Sequence, residues 1–469
     1  MIEQSPEIEG SGQGSESGRS ILSESHNGGE LPFSVKMVEL HNFRRFKHLR
    51  LNIHPFSLLF GKNGAGKTSV LDALMFPLAS AVERFAASTL NKSMWLRSDD
   101  VQIDSLTQSR NFPLECHLYG EMFGGSVLSM RCRSDGDIGH WLPVDGMVEA
   151  AALKLHELSS STQMLPLIAR FAADRSFRRP DHSKGNWPDE LQKPALRLDG
   201  YRDCFDAGRD ADRFVSFFAK QALIETKRSS VPLKAVLSSI RHFLPGFVDA
   251  SFDPDKGDVF FDLGDGAPMA FHNLSDGQRG FLGLVTDLAI RSVQLNPQLG
   301  ETAPLETPGL VTIDELDLHL HPAWQRDIVK GLRSAFPKVT FVTSTHSPVI
   351  LSEVPVEQVF DLDAFDLDTY SRRTTERDED EVGSEIPSTP STYGKPAGWL
   401  LENVMGASDR PLLVDELIAE VESKLHDRLI DESEQTLDRL RALVDTDDPV
   451  LQGLEWELTD LKHDAAQNQ

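Results

Sequence analysis

The sequence predicts an α/β fold, and three observations predict it. A short all-apolar run at residues 56–60 passes through a glycine-rich turn into an amphipathic stretch carrying Val70, Leu71 and Leu74. A second apolar run, residues 310–313, ends on the paired carboxylates Asp314 and Glu315. From 258 to 360, strand-like runs alternate with helix-like ones, the order that builds a sheet flanked by helices.

Taken in order, residues 1–32 are rich in Gly, Ser and Glu without periodicity, which predicts a disordered arm. The head expected over residues 33–362 opens with short strands at 35–40 and 49–53 and a buried one at 56–60. Residues 79–250 mix helical stretches with loops rich in Arg, Asp and Pro and hold no sustained heptad repeat. A helical insertion is expected there, and a long coiled coil is not. Strand patterns at 339–342 and 358–360 complete a sheet expected to be mixed. Residues 363–392 then turn acidic and Ser/Thr/Pro-rich, the composition of a flexible linker. Leu417, Ile418, Val421 and Leu425 recur at helical spacing, as do Leu451, Leu454, Leu458 and Leu461. Residues 393–469 are therefore expected to close the chain as a helical hairpin for docking or oligomerisation.

Composition bounds the function. At 469 residues and 39% hydrophobic, the chain can bury a sizeable core in two or three domains. No run approaches the roughly 18 apolar residues of a membrane helix, and the first thirty residues hold no signal core, so a cytoplasmic protein without membrane contact is expected. Cys116, Cys132 and Cys204 are far apart and lack metal-ligand or disulfide spacing, which predicts reduced thiols. The net charge of −26 is uneven: residues 361–469 hold 28 acids against 10 bases, leaving 45 against 37 for the rest. A nucleic-acid-coated surface is excluded, but a local basic groove is not. Between residues 170 and 213, Arg175, Arg178, Arg179, Arg197, Arg202, Arg209 and Arg213 interleave with Phe171, Phe177, Trp187 and Tyr201. That mixture reads either as a DNA-facing patch or as a solvated charged surface.

The chemistry sits in three motifs. Gly61-Lys62-Asn63-Gly64-Ala65-Gly66-Lys67-Thr68, with Ser69 following, fits G-x-x-x-x-G-K-[ST] between a strand and a helix. Its glycines let backbone N–H groups face phosphate, Lys67 neutralises β/γ oxygens, and the Thr68 hydroxyl suits Mg2+. At the end of strand 310–313, Asp314 suits Mg2+ through water, and Glu315 suits the general base that polarises the attacking water. In Asn273-Leu274-Ser275-Asp276-Gly277-Gln278-Arg279, Ser275 stands where a helix begins. It reads either as an anion site for a γ-phosphate or as an ordinary serine cap.

This phosphate loop, together with L-S-D-G-Q-R, V-T-I-D-E-L-D-L-H-L-H-P and S-T-H-S-P, resembles the ABC-type ATPase head shared by the RecF, SMC and Rad50 proteins. It is most similar to compact bacterial ATPases associated with phage defence, those of Septu systems and retrons. Asn42-Phe43-Arg44-Arg45-Phe46 resembles their N-F-R-x-F segment. The resemblance covers about residues 35–360 and implies two copies packed head to tail over two ATP molecules. Ser275, Gly277 and Gln278 of one copy would act on ATP held by the other copy's Lys67. Asp317 and residues 319–321 would form the turn crossing the interface, and His346 would contact the γ-phosphate. A metal site from His319, His321 and His346 is the rival reading of those histidines. The family's glutamine-bearing loop is not assigned, Gln102 being one candidate among several.

Lys67 and Ser275 stand 208 positions apart, longer than in a transporter-type domain, which argues against transport. Asp361, Asp363, Asp366 and Asp368 are the only trace of a further acidic nuclease fold, and their flanks dissolve into linker. The expectation is a Mg2+-dependent ATPase switch controlling a separate effector, such as a nuclease, in phage defence or on DNA. A RecF-like repair ATPase and a slowly hydrolysing ATP-locked scaffold are the alternatives.

Overall fold

The computed structural model describes residues 33–85, 94, 96–104, 106–138, 142–143, 147–174, 177–178, 196–205, 209–226, 229–244, 246–264, 266–364 and 391–467. The arm expected over 1–32 lies outside the described residues, as does the expected linker apart from its ends.

β1 (Ser34–Phe43) and β2 (Phe46–Asn52) form an antiparallel hairpin in which Phe43 faces Phe46 across the Arg44-Arg45 turn. Alternation decides its two faces: Val38 and Leu40 are fully buried, whereas Glu39 and His41 point away from the core. β3 (Phe56–Phe60) leaves for another sheet and feeds α1 (Lys67–Phe85). β4 (Leu114–Met122), β5 (Gly125–Cys132) and the short β6 (Leu142–Pro143) then extend the hairpin into an antiparallel sheet of order β2-β1-β4-β5-β6. α2 (Met147–Ser159) packs with α1 and β5.

β7 (Leu167–Phe171) enters the second sheet. Beyond the short pair β8 (Phe177–Arg178) and β9 (Arg209–Asp210), helices α3 (Ala211–Glu225) and α4 (Val231–Phe243) lead to a small antiparallel sheet. Its strands are β10 (Asp249–Asp253), β11 (Asp258–Asp262) and β12 (Met269–Ala270). Residues 79–250 thus carry the expected helices and also β4, β5 and β7. In β4 the buried Leu114, Cys116 and Leu118 alternate with Glu115, His117 and Tyr119, a period of two that marks a half-buried strand.

α5 (Asp276–Leu295) and the short α6 (Ala303–Glu306) precede β13 (Gly309–Ile313). α7 (Pro322–Ala335), β14 (Val339–Ser344), α8 (Pro348–Leu351) and β15 (Val359–Asp361) complete the head. The second sheet has the order β15-β3-β14-β13-β7, and every pairing in it is parallel. β3 and β13 are buried at every position, as strands covered by helices on both faces must be. Parallel and antiparallel pairing are therefore distributed over separate sheets, while one hydrophobic core runs through the head.

The expected C-terminal helices are present. α9 (Ala397–Asn403) buries Leu400 in the head core, and Gly394 N–H donates to Ser352 O at 2.9 Å. α10 (Leu412–His426) and α12 (Pro449–Gln467) carry the two apolar stripes, and α11 (Ile430–Arg441) stands between them. The three pack around their own core of Val414, Leu417, Val421, Leu437, Leu440 and Leu454. The segment 393–405, expected with the C-terminal element, packs instead on the head because Trp399, Leu400, Val404 and Met405 join its core. All three cysteines are buried and free, and among the described residues no helix is long and apolar enough to cross a membrane.

Candidate active site

The phosphate loop leaves the carboxyl end of β3 and turns into α1, where open parallel sheets place ligands. Gly64 and Gly66 hold φ of 83° and 97°, which side-chain-bearing residues rarely adopt. At Gly66 space is limiting as well, since a Cβ there would lie 2.5 Å from the Phe46 ring. Asn63 and Gly64 are exposed, whereas Lys67 and Ser69 are buried. The Lys67 ammonium folds back over the loop, donating to Gly61 O at 2.7 Å and Lys62 O at 3.1 Å. Burial holds its pKa below the ordinary lysine value, opposed by the charges of Asp314, Asp363, Glu315 and Asp317.

The carboxylates stand one strand away, because β14 lies between β3 and β13. Thr68 Oγ1 donates to Asp314 Oδ2 at 2.7 Å, and Ser344 Oγ donates to Asp314 Oδ1. Ser344 Oγ also accepts from Glu315 N–H at 2.7 Å, so one hydroxyl at the end of β14 holds the Asp314 carboxylate and the Glu315 backbone. Glu315 has φ of 49°, and that turn sends the chain across the sheet end. Asp317 Oδ1 accepts from Thr345 Oγ1 at 2.6 Å and from His346 N–H at 3.2 Å, which pins the histidine segment beside the acidic turn. Lys67, Thr68, Asp314, Glu315, Asp317 and His346 therefore meet at one end of the parallel sheet. Two hard oxygen donors side by side, Thr68 and Asp314, fit Mg2+.

Ser275 caps α5: its hydroxyl accepts from Gln278 N–H at 3.3 Å, and the Gln278 side chain accepts from Ser275 N–H at 3.1 Å. The serine is exposed at this helix start. Gly277 is buried against the acidic turn, where a Cβ would lie 2.2 Å from His319 O. Gly277, within the capped start of α5, thus abuts residues 319–320.

The chain is similar to known proteins along most of its length. Residues 153–352 match the family model "AAA domain, putative AbiEii toxin, Type IV TA system", and residues 34–118 match "AAA ATPase domain". The "Retron Vc95 probable ATPase" of Vibrio cholerae serotype O1 biovar El Tor is 24% identical over 436 residues, 82% of this chain and 81% of that protein. The chain is an ATPase. The "Retron Ec83 probable ATPase" of Escherichia coli is 29% identical over 183 residues, 39% of the ATPase and 30% of the relative. The Septu protein PtuA of Bacillus mycoides (strain KBAB4) is 40% identical over 335 residues, 68% of the ATPase but only 38% of the relative. Among solved structures, the SMC head domain from Thermotoga maritima aligns with a TM-score of 0.40 and 12% identity, over 70% of this chain and 94% of that one.

Several residues of the ATPase site were not singled out by motif. The Asn42–Phe46 tract, quoted only for its resemblance, reaches the phosphate loop. Arg45 NH1 donates to Gly64 O at 2.5 Å, and Phe46 packs on Gly66. Arg44 bridges Asp100 at 2.9 Å and Asp72 of α1 at 2.8 Å, and Arg170 of β7 takes the other Asp72 oxygen. Asp363 Oδ2 accepts Lys62 N–H at 2.6 Å. The acidic pairs could have been sought from Arg44, but partners 28 and 56 positions away carry no local signal.

Of the described arginines of the basic segment, Arg197 donates to Leu295 O, Leu158 O, Ser161 O and Gln163 O, and Arg213 donates to Arg202 O and Asp199 O, whereas Arg202 is exposed and donates to the Asp199 carboxylate at 3.1 Å. Phe171 and Tyr201 are buried, and the Tyr201 hydroxyl donates to Pro166 O at 2.8 Å. Arg175, Arg179 and Trp187, and the side chains of Phe177, Arg178 and Arg209, lie outside the described residues. His319, His321 and His346 form no ligand cluster among the described residues; His321 instead caps α7, its Nδ1 accepting from Ala323 N–H at 3.2 Å. Gln102 pairs with Asn111 and donates its N–H to Asn42 O at 2.9 Å, beside the Arg44 segment.

Proposed function

We propose that this ATPase is a Mg2+-dependent switch in which two copies close head to tail over ATP and control a separate effector in phage defence. The observation that carries the reading is the close approach of Gly277 to His319, which joins the capped signature and the acidic turn into one surface. Such a surface suits docking on a second copy's phosphate loop.

In this reading Lys67 leaves the carbonyls of Gly61 and Lys62 to neutralise the terminal phosphates, while the loop N–H groups orient them. Mg2+ held by Thr68 and Asp314 supplies charge neutralisation on the phosphate oxygens. Glu315 takes a proton from the attacking water, and His346 contacts the γ-phosphate from the same side. Ser275, Gly277 and Gln278 of the second copy complete the site, with Asp317 crossing between copies. The retron and Septu relatives support the defence setting, and a nuclease is the effector class proposed.

The test uses mixed variants. Lys67→Ala removes the charge partner of the triphosphate, and Ser275→Arg places bulk and charge on the signature surface. Each variant alone is expected to lose hydrolysis. A mixture can rebuild one intact site per dimer from the unaltered loop of one chain and the unaltered signature of the other. Recovered steady-state hydrolysis supports the two-chain site. Activity no greater than the sum of the separate variants, with mixed dimers demonstrated by light scattering, would refute it.

A further inference from the structure

The outer face of the antiparallel sheet gathers three histidines and two glutamates away from the nucleotide site. β1 supplies Glu39 and His41, β2 supplies His48 directly opposite His41, and β4 supplies Glu115 and His117 opposite His41 and Glu39. Because alternate residues share a face, these side chains are neighbours across three strands. We propose that Glu39, His41 and His48 form a binding site for a borderline divalent transition metal of the zinc class.

The geometry favours this triad. His48 Nε2 lies 3.0 Å and His41 Nε2 3.6 Å from the same atom, Glu39 Oε1. Ligands about 2.0–2.1 Å from a tetrahedral ion stand about 3.3 Å apart, so the three atoms already have the spacing of one coordination edge after another. The imidazoles stack with centroids 4.4 Å apart and 21° between planes, so one ring must turn for both Nε2 lone pairs to converge on an ion. Tyr119 donates its hydroxyl to Glu39 Oε2 at 2.8 Å, the outer support that fixes a ligating carboxylate. Histidine nitrogens select zinc-class ions over Mg2+, which separates this site from Thr68 and Asp314. Side-chain exposures of 36% for His41 and 25% for His48 leave an entry path.

A second triad, His41, Glu115 and His117, shares one histidine with the first. It is the poorer site, because Glu115 is already paired with the Arg131 guanidinium, whose charge opposes a cation. His117 Nδ1 is bonded to Ser129 Oγ at 2.8 Å.

The test takes the untagged full chain, stripped of metal with a chelator and free of nucleotide. Co2+ is titrated by its visible absorption and then displaced with Zn2+. One Co2+ per chain is expected, displaced by Zn2+. His41→Asn and His48→Asn should each weaken binding about 100-fold, and Tyr119→Phe, which keeps the ring packing, about 10-fold. The His319→Asn/His321→Asn double variant should bind as the parent does. The proposal is overturned by absence of Co2+ binding, by binding that survives the His41→Asn/His48→Asn double change, or by loss in the His319/His321 variant. Loss confined to Glu115→Gln and His117→Asn would likewise remove Glu39, His41 and His48 as the site.

Discussion

Single side chains near the nucleotide loop divide into those that do chemistry and those that hold it in place. Glu315 is proposed for the first group, as the general base, and Glu315→Gln keeps shape while removing that proton acceptor. Nucleotide binding should persist while turnover falls by about 10²–10⁴, read by equilibrium binding and steady-state hydrolysis. Arg44 belongs to the second. Its loss leaves Asp100 without a cation partner and Asp72 with Arg170 alone, and both carboxylates are nearly buried. Arg44→Met should therefore destabilise the head by about 3 kcal/mol, seen as a lowered melting temperature. Glu39 gives a pH-dependent outcome. The adjacent His41 imidazole, then hydrogen bonds from His48 and Tyr119, hold its carboxyl well below the ordinary value of about 4.3. Its folded pKa lies below its unfolded one, so it stabilises the fold above that ordinary value and the contribution is lost as pH falls through the folded pKa. The stability difference between the parent chain and Glu39→Gln, widest near pH 6, should narrow below about pH 4. A difference that grows on acidification would contradict the assigned bonds.

At the scale of elements, the start of α5 and the turn after β13 behave as one unit. Gly277 is needed because the His319 carbonyl occupies the space of a Cβ, so Gly277→Ala must displace one backbone or the other. An overpacked contact of this kind costs about 1–3 kcal/mol, and the expected result is a selective defect. ATP binding through Lys67 should survive, while ATP-driven dimer closure, followed by light scattering, should be lost. The serine cap and the anion site are not exclusive alternatives at Ser275. The capping box keeps the hydroxyl within its own helix start, yet the residue remains exposed for a second copy. β4 shows the converse case, since its alternation of buried and half-buried positions was present in the sequence.

In the whole molecule, the division between head and C-terminal bundle follows two separate cores rather than the acidic stretch. Truncation at 392 would strip α9 from the head, whereas truncation after 410 leaves Leu400 in place. The shorter deletion should preserve melting temperature and nucleotide binding while altering assembly size, measured by light scattering. An unchanged assembly would show that the bundle does not mediate it. The sequence by itself determined the α/β class, the phosphate loop, the carboxylate pair and the helical C-terminus. Each rests on contiguous residues whose local period or spacing has one physical reading. Only the tertiary structure decided that every pairing in the nucleotide-bearing sheet is parallel and that Arg197 and Arg213 of the basic segment bond to backbone carbonyls. It alone joined Ser344 to the Asp314 carboxylate and the Glu315 backbone, Arg44 to Asp72 and Asp100, and His41 to His48 and Glu39. Those contacts link residues far apart in the chain, and their partners are chosen by strand order and register, which no local pattern specifies.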